Sequence, residues 1–587
     1  MSNNINRSRR QFLQHSMLGA AVAAFPSLLL ADAGKIKSSA TPGFNPDVEI
    51  EFTAQPAQVG ILSSGPATQV QKFFATLRRG PANTLTQLPG NYLGPVLNFQ
   101  QGQKVRVFFN NKLNEPSIIH WHGLHVPQHS DGHPMYSIDT GEQFVYEFEV
   151  LNRAGTSFYH SHSHNLTAEQ VYRGLAGLIV VSDSDEAKLE LPSGEYDLPL
   201  VIQDRSFDNQ NQLQYLHMMP ERIMGFLGDT ILVNGKPNAE FSVKSRAYRF
   251  RAANGSNSRI YKLGWEDGTP LTAIGTDAGL LAKPETRPYI MLAPGERVDL
   301  WLDFSGRAIG SKLTLYSLPY SGVMPGMYDK MHKDGKGMGM MRNRLPQGGK
   351  FPIAVFKVSE KVGESPKLPE KLVPFQRLTE RDVDNAANPL PIAISMQHMK
   401  PLLNGKSFAM DRVMDFEKVA LGSIKKIKIF HDHGSEGRHG GGMGMMGGMQ
   451  HGGKNNAESG EHNMAGMGMR GMRHGDSEHG SDSGGQQMGG MGMGGMGGGM
   501  MEMAHPIHLH GQQYQILSRN TDQVKPADYG TVKDGFIDSG WKDTVLVMPG
   551  ETVEIVKPFQ DYKGLFLYHC HNLEHEDLGM MRQFYIG

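Results

Sequence analysis

Four short segments of this chain each place two histidines one residue apart, and they sit toward its two ends: His120-Trp121-His122, His160-Ser161-His162, His508-Leu509-His510 and His569-Cys570-His571. In an extended strand, side chains alternate between faces. Each pair therefore aims two imidazoles to the same side, and Cys570, between two histidines, must face the other way. The surrounding sequence is strand-like. Residues 104–109 and 143–150 alternate, and residues 178–181, 198–202, 248–251, 427–430, 514–517 and 553–556 form short apolar runs separated by Gly, Pro, Asn and Asp. Many short strands at this spacing predict an all-β protein built of sandwiches or barrels.

With 587 residues the chain is too long for one core. We expect three units, at residues 46–185, 196–359 and 371–587, with a Pro-containing linker near 361–371. From residue 434 to 499 the third unit is interrupted by Gly, Met, His and Ser with almost no other large apolar residue, a composition that should leave the segment flexible. A shorter Met-rich stretch spans 324–341. A formal net charge of -1 offers no reason to expect nucleic acid or an anionic membrane as partner.

The first 33 residues read as an export signal. Arg9 and Arg10 precede an apolar stretch from 17 to 30, and Ala31-Asp32-Ala33 follows as a small-residue cleavage site. The stretch is short for a membrane span and contains Gly19 and Pro26. The pattern is that of a twin-arginine signal, which a receptor reads and which is no anchor. The expected location is the bacterial periplasm, and we expect a monomer without a membrane anchor.

One Cys, 35 Met and 25 His make up the ligand chemistry, and one Cys excludes an internal disulfide. If the four segments lie side by side, His120, His122, His160, His162, His508, His510, His569 and His571 supply eight imidazoles, enough for three metal ions. His505, three residues before His508, falls on the other face with Cys570, and His575 and Met580 follow in the chain. Two imidazoles, a thiolate and a weak thioether form the ligand set of a blue-copper site. Zinc sites take four ligands and need no thioether. The backbone of Cys570 would then link the two centres through His569 and His571.

This set of motifs resembles the multicopper oxidases, the family of laccases and ascorbate oxidase, over nearly all of the chain beyond the leader. The segments Pro199-Leu200-Val201-Ile202-Gln203-Asp204-Arg205 and Val233-Asn234-Gly235-Lys236-Pro237 are similar to signatures of the bacterial three-domain members. His575-Glu576-Asp577-Leu578-Gly579-Met580-Met581 resembles the ending of CueO-type copper efflux oxidases. The resemblance implies three cupredoxin-like Greek-key domains and four copper ions. It assigns type 1 copper to His505, Cys570 and His575 with Met580 axial, and type 2 to His120 and His508. It assigns one type 3 copper to His122, His160 and His571 and the other to His162, His510 and His569. It also makes Asp131 and Glu576 the carboxylates that handle protons while dioxygen is reduced to water.

The Met- and His-rich insert favours Cu(I) as substrate, because thioethers bind the cuprous ion well. Glu502 and Met503, just ahead of His505, are the candidate substrate-copper residues, although the acid found four before the type 1 histidine in CueO is Met501 here. A laccase acting on phenols or aromatic amines shares the same copper motifs. A copper-buffering protein, or a copper-free cell-division protein of the same fold, would need neither Cys570 nor the full histidine set. The two-domain copper nitrite reductases lack the ligands for three clustered coppers.

Overall fold

The structure, a computed structural model, describes residues 38–216, 219–325, 345–397, 399–432 and 502–587. The expected leader, the insert 434–499 and most of the Met-rich stretch 324–341 lie outside the described residues. Among the described residues no helix is long and apolar enough to cross a membrane.

The architecture is all-β, as expected: the described residues form six sheets, with a few short helices between strands. Alternating sequence explains the central strands of the first four-stranded sheet. Val48–Val59 buries Val48, Ile50, Phe52 and Ala54 while the residues between them are partly exposed. Lys104–Asn111 repeats the pattern and pairs with it in parallel. These strands join Thr68–Arg79 and Gln143–Glu149 in a four-stranded sheet. The five-stranded partner sheet holds Val96–Gln100, Ala176–Ser182, Gly155–Ser161 and Ile119–His120. Phe52, Phe73, Val107, Trp121 and Tyr159 fill the core between them.

A seven-stranded and a five-stranded sheet enclose a second core around Phe250, Trp265, Leu300 and Phe356. Its strand Ala247–Asn254 is buried on both faces, arginines included. Arg249 meets Asp299 at 2.5 Å and Arg251 meets Asp197 at 2.7 Å. Both arginines reach the first pair of sheets through one residue there, because Thr156 Oγ1 donates to Asp299 at 2.7 Å and accepts from Arg251 at 3.0 Å. A buried charge is tolerable only when paired in this way.

A six-stranded and a five-stranded sheet form the third core, which includes Ile427, Ile507, Ile555 and Phe584. Cys570 and Met580 lie inside this core. That fixes the polarity of the strand Gly564–Cys570: its thiol points into the apolar interior and its flanking histidines point away.

Candidate metal centres

The first and third pairs of sheets present the same local construction. Ile119–His120 pairs antiparallel with Gly155–Ser161, setting His120 opposite His160. His505–Leu509 pairs antiparallel with Gly564–Cys570, setting His508 opposite His569 and Ile507 opposite Cys570. One detail departs from the strand argument. In every pair the second histidine lies beyond the end of its strand: His122 in a turn, His162, His510 and His571 one residue past. Alternation aims the first ring, and the loop aims the second. The paired rings still lie together, with centroids 5.7 Å apart for His120 and His122, 5.8 Å for His160 and His162, 4.9 Å for His508 and His510, and 5.7 Å for His569 and His571.

The eight rings converge. Ring nitrogens of His120, His122 and His508 lie within 4.8 Å of one another, as do those of His122, His160 and His571, and those of His162, His510 and His569. A separate group with the same spacing joins His505, Cys570 and His575. All are buried.

Two carboxylate residues orient the rings in matching fashion. Asp131 accepts from His120 Nδ1 on its backbone carbonyl at 2.6 Å and from His510 Nδ1 on Oδ2 at 2.7 Å. Asp543 accepts from His508 Nδ1 on its carbonyl at 2.9 Å and from His122 Nε2 on Oδ1 at 3.1 Å. The rings each residue orients are stacked: His120 on His510, and His122 on His508, both with centroids 3.7 Å apart. Gly132, at φ +83°, follows Asp131 because a Cβ there would stand 2.6 Å from His120 Cα.

The environments of the two acids differ. Burial pushes the Asp131 carboxyl well above the usual carboxylate range, with Lys557 opposing weakly. Burial acts upward on Asp543 too, but the Arg297 guanidinium, bonded to both of its oxygens, holds it well below. A third acid, Glu576, stands 3.0 Å from His569 Nδ1 and 3.7 Å from His162 Nε2. Burial raises its carboxyl, and His569 and His162 then draw it down to about 2.

The donor set fits bound metal on two grounds. Burial holds His120, His122, His162, His510 and His571 well below the ordinary histidine range and His160 at about 4, so these rings are neutral and each keeps one lone pair. With the Nδ1 protons of His120 and His508 bound to carbonyls, their Nε2 lone pairs face each other at 3.4 Å. The Nε2 atoms of His510 and His569 face each other likewise at 3.2 Å. Lone pairs opposed at that distance repel unless a cation lies between them. In addition, His122 Nδ1, His160 Nε2, His162 Nδ1 and both ring nitrogens of His571 are buried with no hydrogen-bond partner. Orienting one nitrogen outward to oxygen and leaving the other inward is how metal-binding imidazoles are built.

At the separate group, Cys570 Sγ stands 3.5 Å from His505 Nδ1 and 3.7 Å from His575 Nδ1. Burial pushes the thiol far up, so a bare thiolate is unfavourable there and a cation is needed to sustain it. Asn572 N donates to Sγ at 3.4 Å. Met580 is fully buried in the same core, its carbonyl accepting from Cys570 N at 3.1 Å.

His575 Nε2 donates to the carbonyl of Ile223 at 2.7 Å, which covers that ring with the second pair of sheets. The helix Leu573–Asp577 devotes four successive side chains to four tasks: Glu574 to the second pair of sheets, His575 to the thiolate group, Glu576 to the cluster and Asp577 to the backbone N–H groups of Thr167 and Ala168.

Of the substrate-copper candidates, Met503 is buried beside Tyr320, Met324 and Met548, and Glu502 is half-buried. His431, which sequence reading passed over, accompanies them. Its Nε2 lies 3.2 Å from the Met503 carbonyl and its ring centroid 5.7 Å from that of His505. Sequence reading also passed over Asp543, Arg297, Gly295 and Glu574, none of which belongs to a recognisable local pattern.

Comparison with known proteins agrees with the all-β construction. Sequence profiles described as multicopper oxidase match residues 69–186 and 496–587. The chain is 27% identical over 494 residues to the multicopper oxidase mco of Staphylococcus epidermidis, covering 84% of this chain and 82% of that protein. It is 27% identical to a laccase of Bacillus subtilis over 551 residues, covering 86% and 90%. The cell division protein FtsP of Xenorhabdus nematophila is 34% identical over 300 residues, covering 51% of this chain and 60% of that one. Among solved structures, the McoA multicopper oxidase of Aquifex aeolicus superposes with a TM-score of 0.66 at 28% identity, covering 94% of this chain and 99% of that one. Residues 69–186 and 496–587 thus match multicopper oxidase domains, and the chain resembles multicopper oxidases over most of its length.

Proposed function

We propose that this chain is a periplasmic cuprous oxidase that reduces dioxygen to water. His505, Cys570, His575 and Met580 would hold type 1 copper, and His120 with His508 type 2. His122, His160 and His571 would hold one type 3 copper, and His162, His510 and His569 the other. When bound, these four coppers supply one-electron acceptance from substrate and four-electron reduction of dioxygen. The protein's part is to orient the imidazoles, exclude water and carry protons. Asp131, bonded to His510 and kept protonatable by burial, and Glu576, between His162 and His569, are the groups in place to move protons. Cys570 shares its backbone with His569 and His571, a covalent bridge of few bonds between the two centres.

The observation that supports Cu(I) as substrate is where the Met/His segment is rooted. It leaves the chain just after His431 and returns just before Met503, and both of these flank His505. His575 is capped by Ile223, so His505 is the ring on the substrate side. The twin-arginine pattern supports export. The laccase relatives support a second reading, in which phenols are the main substrates. Steady-state rates with Cu(I) and with a phenol, for the full chain and for a chain lacking 434–499, separate the two. Under the cuprous reading the deletion lowers Cu(I) oxidation and leaves or raises phenol oxidation. Unchanged Cu(I) oxidation would overturn it. A purified chain without blue absorption would favour the copper-free reading instead.

A further inference from the structure

The second pair of sheets supplies no metal ligand in the reading above, yet one of its side chains reaches the cluster. Arg297 begins the strand Arg297–Asp303 and is almost fully buried. Its NH1 donates to Asp543 Oδ1 at 2.7 Å and its NH2 to Asp543 Oδ2 at 2.5 Å, a two-pronged grip on one carboxylate. The same two nitrogens donate to the carbonyls of Gly295 and Asp277, each at 2.7 Å. Nε donates to the carbonyl of Thr156 at 3.1 Å, on the strand that carries His160. One planar group thus ties together all three pairs of sheets beside the histidines.

What Asp543 does with its oxygens gives this grip its meaning. Oδ1 accepts from His122 Nε2 at 3.1 Å, which puts the proton on that nitrogen and turns the Nδ1 lone pair toward the cluster. Thr544 Oγ1 donates to the same oxygen at 3.0 Å and lies 3.3 Å from His122 Nε2 and 3.2 Å from His508 Nδ1. The neighbouring turn packs on the rings directly. A Cβ on Gly295 would stand 2.8 Å from His571 Cδ2 and 3.0 Å from His122 Cε1. The counterpart acid Asp131, which orients His120 and His510, has no arginine against it among the described residues. The two ends of the cluster are therefore held differently, one through a carboxylate gripped by an arginine and the other through a carboxylate that is not.

We propose that Arg297 is a positioning residue for copper binding. By fixing the Asp543 carboxylate it sets the orientation of His122 and His508, and so governs loading of the cluster but not of the thiolate site. The inference rests on reading the eight histidines as a copper cluster.

The test is copper reconstitution of the apoprotein against a competing chelator, reading copper per chain together with the blue absorption of the Cys570 site. Arg297→Met and Asp543→Asn are expected to weaken cluster copper about 10- to 100-fold while the blue absorption per folded chain stays the same. Arg297→Lys keeps the charge without the fork and should fall between. Arg249→Met, which removes a buried ion pair in which Nε and NH2 both donate to Asp299 Oδ2 on the adjacent strand, is the control. It should lower the melting temperature and leave copper content intact. If Arg297→Met loads its cluster like the native chain, or if Arg249→Met loses as much cluster copper, the proposal fails. Should Arg297→Met not fold, full loading of the Lys and Asn variants would overturn it equally. A native chain that takes up copper only at Cys570 would instead show the cluster reading itself to be wrong.

Discussion

The helix that carries His575 is clamped through Glu574, and replacing that acid by glutamine measures what the clamp contributes. The Glu574 carboxylate is buried and accepts four hydrogen bonds: from Tyr215 Oη at 2.8 Å, Asn257 Nδ2 at 2.8 Å, Phe226 N at 3.1 Å and Ser258 Oγ. Glutamine keeps one acceptor oxygen and turns the other into an NH₂ group. The Ser258 and Tyr215 hydroxyls can rotate to accept from it, but the Phe226 N–H cannot. Leaving that N–H unpaired costs about 1–3 kcal/mol. The three remaining bonds lose their charge-assisted character, about 1 kcal/mol each. Burial raises the Glu574 carboxyl, so removing the charge recovers part of this. The net loss is about 2–4 kcal/mol. For a cooperative unit of about 500 residues, that corresponds to roughly 1 °C per kcal/mol, a fall of about 2–4 °C. The adjoining His575 rides on this helix and bonds Ile223 through its ring, so the blue absorption of the thiolate site should shift as well. Calorimetry and visible absorption on Glu574→Gln check both. An unchanged melting temperature together with an unchanged band would refute the clamp.

Four further outcomes follow from the same geometry. Cys570→Ser should abolish the blue absorption while metal analysis still finds copper at the histidine cluster; persisting blue colour would contradict the assignment. Gly295→Ala sets a methyl 2.8–3.0 Å from His571 and His122 at φ +80°, and should weaken cluster copper at least about 10-fold in reconstitution while the blue site is spared. Asp131→Asn should slow dioxygen reduction by about 10²-fold or more with the coppers still bound, read by oxygen consumption at saturating substrate. Lys557 is buried and depressed to about 7 by burial, from an ordinary value of 10.5. Its contribution to stability is therefore complete above about 10.5 and lost as pH falls toward 7. The gain in apoprotein melting temperature from Lys557→Met should be largest at pH 7 and below and shrink toward pH 10; a gain independent of pH would contradict this.

The clustering of the donor side chains was legible in the sequence because its signals are local. A single cysteine between two histidines, and pairs at spacing two, are written within a few residues of each other. The strand argument carried only half of each pair, since His122, His162, His510 and His571 are placed by loops after the strand ends. Loop geometry follows from packing, which spacing does not report. Asp131 and Glu576 were found through resemblance alone. Asp543 and Arg297 were missed because each acquires its role from partners far off in the chain: Asp543 from a histidine 421 residues away, and Arg297 from Asp543, 246 residues away. Glu574 is the same case, its four donors all lying between Tyr215 and Ser258.

That pattern explains why a unit without metal ligands belongs to the site. Among the eight imidazoles, His120 and His508 oppose lone pairs at 3.4 Å and His510 and His569 at 3.2 Å, and these repel without a cation, so something other than metal must hold them. The second pair of sheets does so at three points: Arg297 against Asp543, the Gly295 turn against His122 and His571, and the cluster of donors around Glu574. The first and third are buried polar contacts, expensive if broken and specific in direction, and the Gly295 turn adds close packing against the rings. Apolar packing alone would press the units together without fixing how the rings turn. Directional bonds from a rigid third party fix the rotation of His122, His508 and His575, and rotation is what decides whether a lone pair meets an incoming ion. The ligands define which metal can bind; the ligand-free unit determines that the ligands are already turned the right way when it does.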